Sequence, residues 1–208
     1  PALQQRVRFQ PAIMALSDAG EGKMWISQER TGLGLYDLSR HEVMLYSDVL
    51  ALKSLALGSI KQMTEPRREG NVWVIPEGRN LIYELGREGM RMKHIRTLSL
   101  PDKAKRHFTQ TYEDRNGTLW AGTNNGLFTF SLRDNQWHTV CDTLGQVSAL
   151  KEDKQGNLWI GTTNKGLYQQ SSKGKCKKIP SSLSITCLSV QEDSLIWIGT
   201  QEGGVYAL

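Results

Sequence analysis

Apolar runs and polar turns alternate along the chain in a pattern that repeats about every 40 residues. Residues 153–168 read D-K-Q-G-N-L-W-I-G-T-T-N-K-G-L-Y, and residues 114–128 and 193–206 repeat this pattern closely. Looser copies occupy residues 22–36 and 70–83. A fixed repeat of this length is typical of arrays built from one structural unit. The tryptophan markers of the five units are Trp25, Trp73, Trp120, Trp159 and Trp197, and Trp137 is off this register.

Each unit predicts short strands separated by tight turns. Asp accepts backbone hydrogen bonds and Gly supplies positive φ, so the Asp-x-x-Gly cluster indicates a turn. The following run, Leu-Trp-Ile-Gly at residues 158–161, has no polar alternation, which indicates a strand buried on both faces. The glycine after Trp-Ile leaves room for a side chain from a neighbouring sheet. A further strand is expected at Leu167 and Tyr168.

Two more strands complete each unit. Ile13, Phe108, Val147 and Ile185 each begin an apolar segment twelve residues before a marker tryptophan, and Ile60 fits the same place if residues 66–69 include one extra residue. More polar strands are predicted at residues 41–46, 90–98, 136–141 and 175–179. Four strands, named a to d in chain order, make one blade, and blades arranged radially form a β-propeller.

The repeat therefore predicts an all-β fold, a β-propeller of five four-stranded antiparallel blades in one domain over residues 1–208. The blades are expected at about residues 11–46, 47–99, 100–141, 142–180 and 181–208. The last unit ends after its third strand, and residues 6–9 form a lone predicted strand. We expect residues 6–9 to complete the last blade, because an unclosed arc would expose an apolar sheet face. In the alternative, the five blades are part of a larger ring.

Composition and charge limit the classes of partner. The net charge is +5, and the lysines at 173, 175, 177 and 178 cluster on a predicted outer strand. Aromatic stacking residues are not interleaved with these charges, so they favour a solvated sheet edge and not a nucleic-acid surface. No run of about 18 apolar residues occurs, and we expect no membrane span in this chain.

The residues that could carry chemistry are scattered. The four histidines have no metal-ligand spacing, and Asp114, Asp153 and Asp193 recur at one turn position of different units. We interpret these aspartates as turn formers, and we expect no catalytic residue, metal or cofactor. The chain has three cysteines. We expect free buried thiols, with Cys187 in the core of an inner strand, and a Cys176–Cys187 disulfide as the alternative.

The spacing between units points to a recognition surface. Successive marker tryptophans lie 48, 47, 39 and 38 residues apart, so the first two intervals contain insertions, around residues 47–59 and 100–106. Both insertions connect strand d of one blade to strand a of the next, at the same end of the blades as the turns between strands b and c. Loops on a rigid scaffold commonly carry function. The predicted binding residues on these turns are Arg30, Arg79, Asn125, Lys165 and Glu202.

The last three units resemble the two-component regulator propeller repeat, through the pattern D-x-x-G-x-L-W-[IA]-G-T-x-x-G-[LV]-[YF]. The resemblance extends over nearly the whole chain, although Ser27-Gln28 and Ile75-Pro76 replace Gly-Thr in the first two units. It implies the periplasmic sensor region of an inner-membrane hybrid two-component protein of Bacteroides-type bacteria, whose histidine kinase is not in this chain. That family usually builds seven-bladed propellers, so a place in a seven-bladed ring is the alternative to five.

We therefore expect a non-enzymatic sensor that binds a small polar ligand. By resemblance, the ligand is an oligosaccharide fragment and the full-length protein forms a homodimer. Directed donors on Arg and amide groups suit ligands that carry hydroxyl or carboxylate groups. Two alternatives stay open: a propeller lyase or glycoside hydrolase, with Glu29, Glu77 and Glu202 converging at the channel mouth, and a scaffold for protein interaction.

Overall fold

The chain folds into antiparallel β-sheets, each built from strands that are consecutive in the sequence. The structure is a computed structural model, and it describes residues 13–29, 32–46, 55, 57–64, 71–88, 91–100, 106–171, 175–191 and 195–208. These residues form five sheets and contain no helix, so no apolar helix long enough to cross a membrane occurs among them. Two compact units divide the chain, Pro1–Ser99 and Leu100–Leu208.

The first unit contains two four-stranded blades. The first blade consists of β1 (Ile13–Gly20), β2 (Lys23–Gln28), β3 (Gly32–Asp37) and β4 (Glu42–Leu45). The second blade consists of β5 (Ile60–Thr64), β6 (Asn71–Pro76), β7 (Ile82–Glu88) and β8 (Arg91–Leu98). Each strand pairs antiparallel with the next one in the chain, so the order of strands in space is the order in sequence.

The second unit contains three blades. The third blade is formed by β9 (Phe108–Glu113), β10 (Leu119–Thr123), β11 (Gly126–Ser131) and β12 (Gln136–Cys141). The fourth is formed by β13 (Val147–Glu152), β14 (Leu158–Thr162), β15 (Gly166–Gln170) and β16 (Cys176–Ile179). The fifth has three strands among the described residues: β17 (Ile185–Val190), β18 (Ile196–Thr200) and β19 (Val205–Ala207).

These sheets confirm the predicted all-β propeller with five blades. The strands that follow the turns begin within one or two residues of the predicted positions, including all four predicted outer strands. The proposed closing strand at residues 6–9 lies outside the described residues, as does most of the first insertion. The closing of the last blade by residues 6–9 therefore stays a prediction.

The five marker tryptophans occupy the second strand of their blades, as predicted, but they are not all buried. Trp25, Trp73 and Trp159 are buried and Trp120 is half-buried, whereas Trp197 is 40% exposed, so the prediction of burial is wrong for Trp197. Ile185 and Leu188 of the fifth blade cluster with Trp159 and cover it. Tyr206, which pairs with Ile198 on the opposite face of the same blade, is exposed as well.

The glycine after the Trp-Ile pair accepts a side chain from the next blade, as the sequence predicts. A Cβ atom on Gly122 would lie 2.5 Å from Cγ1 of Val147, and one on Gly161 would lie 2.5 Å from Cγ2 of Ile185. Adjacent inner strands are also joined by hydroxyl groups. Thr109 Oγ1 donates to the carbonyl oxygen of Val147 at 2.7 Å. Side-chain packing against the glycine and a hydrogen bond between inner strands thus hold consecutive blades of the second unit together.

Asp114 and Asp153 form the predicted turns and also fix the tryptophans. Oδ1 of Asp114 accepts hydrogen bonds from the backbone N–H groups of residues 116 and 118, and Oδ2 accepts one from Trp120 Nε1 at 2.8 Å. Trp159 Nε1 donates to Asp153 Oδ2 in the same way, at 2.9 Å. In the fifth blade Gln191, six residues before Trp197, is the acceptor at 3.0 Å. The predicted equivalent, Asp193, lies outside the described residues.

The three cysteines are free thiols, so the alternative Cys176–Cys187 disulfide is wrong. Cys141 and Cys176 are half-buried, but Cys187 is exposed, which corrects the prediction that it lies in the core. Cys187 pairs in register with Gly199 on the same open sheet that exposes Trp197. Its side chain therefore lies on the same exposed face of the fifth blade as Trp197.

Candidate functional site

The turns between second and third strands are hydrogen-bonded to the segments that lead into the first strand of the same blade. These bonds join backbone N–H groups in the turns to carbonyl oxygens in the connections, in four blades: Glu77 to Ser59, Asn124 to His107, Thr163 to Gln146 and Gln201 to Ser184, at 2.8–3.1 Å. The b-to-c turns and the blade connections therefore lie at the same end of each blade, as predicted. We call this the loop end of the blade.

Glycine at the start of a third strand lets the b-to-c turn pack closely against the neighbouring backbone at the loop end. Gly126 has φ 121°, and a Cβ atom there would lie 2.7 Å from the carbonyl oxygen of Cys141. The backbone of the connection that follows β12 thus approaches within contact of the turn, and only glycine permits both the positive φ and this approach. The backbone of the b-to-c turn is thus packed directly against the segment at the end of β12.

In the first unit, Arg79 is the predicted binding residue that the structure describes. Its Nη1 atom donates to the carbonyl oxygen of Leu55 at 2.9 Å and is 3.4 Å from the hydroxyl group of Tyr83. Leu55 belongs to the first insertion, so Arg79 ties that insertion to the b-to-c turn of the second blade. Arg30, the other predicted residue of this unit, lies outside the described residues.

In the second unit, three predicted residues are on the b-to-c turns of three successive blades. The Asn125 backbone N–H donates to Thr123 Oγ1 at 3.2 Å. Lys165 Nζ donates to the carbonyl oxygen of Thr143 at 2.7 Å, and Glu202 Oε1 accepts from the backbone N–H of Ser184 at 3.4 Å. The side chains of Lys165 and Glu202 are thus positioned by their own loop ends, whereas the bond of Asn125 involves its backbone. That they contact one ligand stays a prediction.

The electrostatics of Glu202 favour the ionised form. Hydrogen bonds from its own backbone N–H and from Ser184 hold the pKa of the Glu202 carboxyl below its usual value. A carboxylate with a lowered pKa accepts hydrogen bonds and does not deliver a proton at neutral pH. This suits hydroxyl or amine recognition better than the general-acid role that a glycoside hydrolase requires.

A small polar cavity that the sequence did not predict lies between the third and fourth blades, away from the loop end. Its volume is about 240 Å³, and Asp114, Asn116, Trp120, Glu152 and Gln170 line it. Arg115 spans the two blades beside it, because Arg115 Nε donates to Glu152 Oε1 at 2.7 Å and Nη1 donates to the carbonyl oxygen of Lys154 at 2.8 Å. The repeated Asp–Trp turn was the available sequence signal for this place.

The described residues contain no group of three or more His, Cys, Asp or Glu side chains that could hold a metal ion. The thiol of Cys176 is not activated either. Burial, with a smaller contribution from the nearby Cys141, raises the pKa of Cys176 to about 11. A thiol with this pKa is protonated at neutral pH and is a poor nucleophile.

Two repeats of the chain match a known family. Residues 104–125 and 143–164 match the family described as Two component regulator propeller, which confirms the resemblance read from the repeat. These segments belong to the third and fourth units, in which the Asp–Trp turn and the Gly-Thr pair are both intact. No curated protein matches the chain significantly.

Solved structures show the same fold at low sequence identity. The extracellular domain assigned to the hybrid two component system BT4673 of B. thetaiotaomicron superposes with a TM-score of 0.76 at 17% identity, over 98% of this chain and 28% of that one. The corresponding domain assigned to BT3049 of B. thetaiotaomicron gives 0.58 at 19% identity, over 94% and 33%. A streptogramin B lyase gives 0.70 at 15% identity, over 94% and 68%. The chain thus spans about a third or less of the two extracellular domains.

Proposed function

We propose that this propeller is a non-enzymatic sensor domain, an extracytoplasmic part of a two-component signalling protein that recognises a carbohydrate fragment at the loop end of its blades. The observation that carries the proposal is the match of two repeats to the two component regulator propeller family. The fold shared with the extracellular domains of two hybrid two component systems of B. thetaiotaomicron supports it.

The loop end supports the ligand class. In the first unit a loop end carries an arginine, and in the second unit loop ends carry an asparagine, a lysine and a carboxylate, each with a hydrogen bond at its own loop end. Sugars offer many hydroxyl groups, each able to donate and accept, and preset donors and acceptors recognise them with little loss of side-chain entropy. Binding in the periplasm would be signalled across the inner membrane to the kinase of a full-length homodimer, in keeping with the regulator family.

An enzymatic function is the second candidate, because a streptogramin B lyase has a similar fold. One architecture can support both binding proteins and enzymes. That candidate would use Glu29, Glu77 and Glu202 as the acid–base set. The lowered pKa of the Glu202 carboxyl argues against Glu202 as the proton donor. Turnover of any oligosaccharide that binds, followed by product analysis, would separate the two functions.

The test is a thermal-shift screen of the domain against neutral and acidic oligosaccharides, followed by calorimetry on each compound that raises the melting temperature. We expect Arg30→Ala combined with Arg79→Ala to abolish the shift. Because Arg79 also binds Leu55, the unliganded melting temperature of the variant must be measured separately. Arg133→Ala is the matched control, since Arg133 is exposed on the turn between β11 and β12, at the opposite end of the blade.

Two results would overturn the proposal. If no oligosaccharide shifts the melting temperature, carbohydrate sensing is wrong for this domain. If a compound binds the double variant as well as it binds the unaltered chain, the site lies away from the loop end of the first two blades, and a protein partner contacting the apolar insertion at residues 49–57 becomes the better hypothesis.

A further inference from the structure

The first blade lacks the acceptor that binds the marker tryptophan in other blades. In the third and fourth blades an aspartate six residues before the tryptophan accepts the indole N–H, at 2.8 and 2.9 Å. In the first blade this position is Ala19, which is buried in one apolar cluster with Trp25. Trp25 is completely buried, and its Nε1 atom has no hydrogen-bond partner among the described residues.

A second buried donor lies beside Trp25. The ring centroids of Trp25 and Tyr46 are 6.1 Å apart, and Tyr46 is 1% exposed. The Tyr46 hydroxyl group also has no hydrogen-bond partner in the described part of the chain. Burial raises the pKa of the Tyr46 phenol, against a smaller lowering by the charge of Arg87, so the hydroxyl keeps its proton at neutral pH.

A buried cation approaches the same place from the second blade. The Arg87 side chain is 7% exposed, and its Nη2 atom is 3.5 Å from the carbonyl oxygen of Ala19. Its carboxylate partner, Glu21, is 3.3 Å away with a side chain that is 58% exposed. A buried guanidinium group therefore lies near the two donors, and its charge acts to lower the pKa of the Tyr46 phenol.

The chemistry of this cluster is that of a donor set with positive charge. Native proteins seldom leave two neighbouring buried donors without acceptors, because the loss of solvation is not compensated. A cation is repelled by Arg87. A neutral water molecule could accept one or two hydrogen bonds, but it gains little from the positive charge, whereas an anion gains both hydrogen bonds and Coulomb energy in a medium of low dielectric constant.

We propose that Trp25, Tyr46 and Arg87 form a binding site for a small inorganic anion such as chloride, which replaces the aspartate carboxylate of the third and fourth blades. The anion would accept hydrogen bonds from the indole N–H and the phenol O–H and would pair with the guanidinium group. It would stabilise the contact between the first and second blades. This site is separate from the loop end, and it does not depend on the proposed sensor function.

The first test measures melting temperature in sodium chloride and in sodium gluconate at equal ionic strength, since gluconate is too large for the site. We expect chloride to raise the melting temperature by about 2–4 °C at concentrations well above its dissociation constant. Ala19→Asp supplies the missing carboxylate within the chain. This variant should melt higher in gluconate than the unaltered chain does, and its melting temperature should no longer depend on chloride.

A matched control comes from the fourth blade. Asp153→Ala removes the carboxylate acceptor of the Trp159 indole. It leaves the cluster of Trp25, Tyr46 and Arg87 in the first blade unchanged. The chloride response of this variant should equal that of the unaltered chain. If Ala19→Asp fails to fold, Tyr46→Phe is the second variant, because it removes one donor. It should raise several-fold the chloride concentration that gives half of the rise in melting temperature.

The direct test is a crystal of the chain grown or soaked in sodium bromide. We expect an anomalous bromide peak within hydrogen-bond distance of Trp25 Nε1. A water-sized peak with no anomalous signal at that position would overturn the proposal. So would an equal chloride response of the unaltered chain and the Ala19→Asp variant, because the response would then arise elsewhere.

Discussion

Cγ2 of Ile185 occupies the space that a side chain on Gly161 would need. A Cβ atom built on Gly161 would be 2.5 Å from that methyl group and 3.4 Å from the Cβ atom of Ala149. Gly161 does not have a positive φ, so its backbone would accept alanine. The requirement for glycine here comes from the packing of the fifth blade against the fourth.

Gly161→Ala should therefore destabilise the chain by overpacking, by about 1–3 kcal/mol in the free energy of unfolding. Urea denaturation would measure the change. Gly58→Ala is the control, because Gly58 has nothing within 4 Å of its Cβ position and no positive φ. Combining Gly161→Ala with Ile185→Ala, which removes Cγ2, should cost less than the sum of the two single substitutions. If the two glycine substitutions cost the same, the contact between these blades is not tight.

Replacing a buried marker tryptophan should lower the free energy of unfolding more than replacing Trp137, the tryptophan that is off the register. Trp159 is buried under the fifth blade, so Trp159→Ala should cost about 3–5 kcal/mol. Trp137 is half-buried and packs on Phe108 and Phe130, with ring centroids 5.7 and 5.1 Å away. Trp137→Ala should cost clearly less, since water already reaches that ring. Urea unfolding of both variants measures the difference, and equal losses would contradict the assigned register.

The Asp153 turn should make stability depend on pH in the acid range. Burial raises the pKa of the Asp153 carboxyl, but the hydrogen bonds from Asn157, Trp159 and the turn backbone outweigh burial, so the net pKa is lowered. A carboxyl with a lowered folded-state pKa stabilises the protein above its unfolded pKa, and this contribution is lost as pH falls through the folded-state value.

Between about pH 5 and pH 2, the unaltered chain should accordingly lose more unfolding free energy than the Asp153→Asn variant does. Asparagine can still accept the indole hydrogen bond but does not titrate. Chemical denaturation at a series of pH values would give both profiles. Parallel profiles would mean that Asp153 contributes nothing to acid sensitivity and that the turn is held by its backbone bonds alone.

Most of the blade architecture could be predicted from sequence because its determinants are local. A turn at Asp153, a buried strand at Trp159 and a glycine at 161 all lie within nine residues, and each has one structural explanation. The exposure of Trp197 could not be predicted in this way, because burial depends on whether another sheet covers the strand. The alignment of the fifth turn with the other turns also contained an error, because it matched Asp193 to Asp114 and Asp153 by residue type. The residue six positions before Trp197 is Gln191, and Gln191 accepts the indole hydrogen bond.

The candidate site was harder to predict than the fold. Polar turn residues such as Arg79 and Lys165 can be identified from the repeat, but their hydrogen bonds to Leu55 and Thr143 depend on the conformation of distant loops. The donor cluster at Trp25 shows the opposite case. There a departure from the repeat, Ala19 in place of aspartate, was visible in the sequence, and only the approach of Arg87 gave it chemical meaning.

Arg115 should contribute more to stability than its partly exposed position suggests. It joins the third blade to the fourth through the carboxylate of Glu152, whose side chain is 4% exposed. Arg115→Ala would leave that buried carboxylate with fewer partners, and we expect a loss of about 1–3 kcal/mol in the free energy of unfolding. Arg115→Lys should recover little, because lysine cannot reproduce the several directed N–H groups that also bind the carbonyl oxygens of residues 153 and 154.

The matched control for Arg115 is the pair formed by Lys93 and Glu88, whose side chains are both mainly exposed. Lys93→Ala should change the free energy of unfolding by no more than about 1 kcal/mol, as is usual for surface ion pairs. Urea unfolding at low and high salt would compare the two arrangements, and raised salt should weaken the exposed pair more than the buried one. If Arg115→Ala and Lys93→Ala prove equally mild, the third and fourth blades are held together by the apolar contact of Val147 on Gly122, and the Arg115–Glu152 pair only lines the cavity beside it.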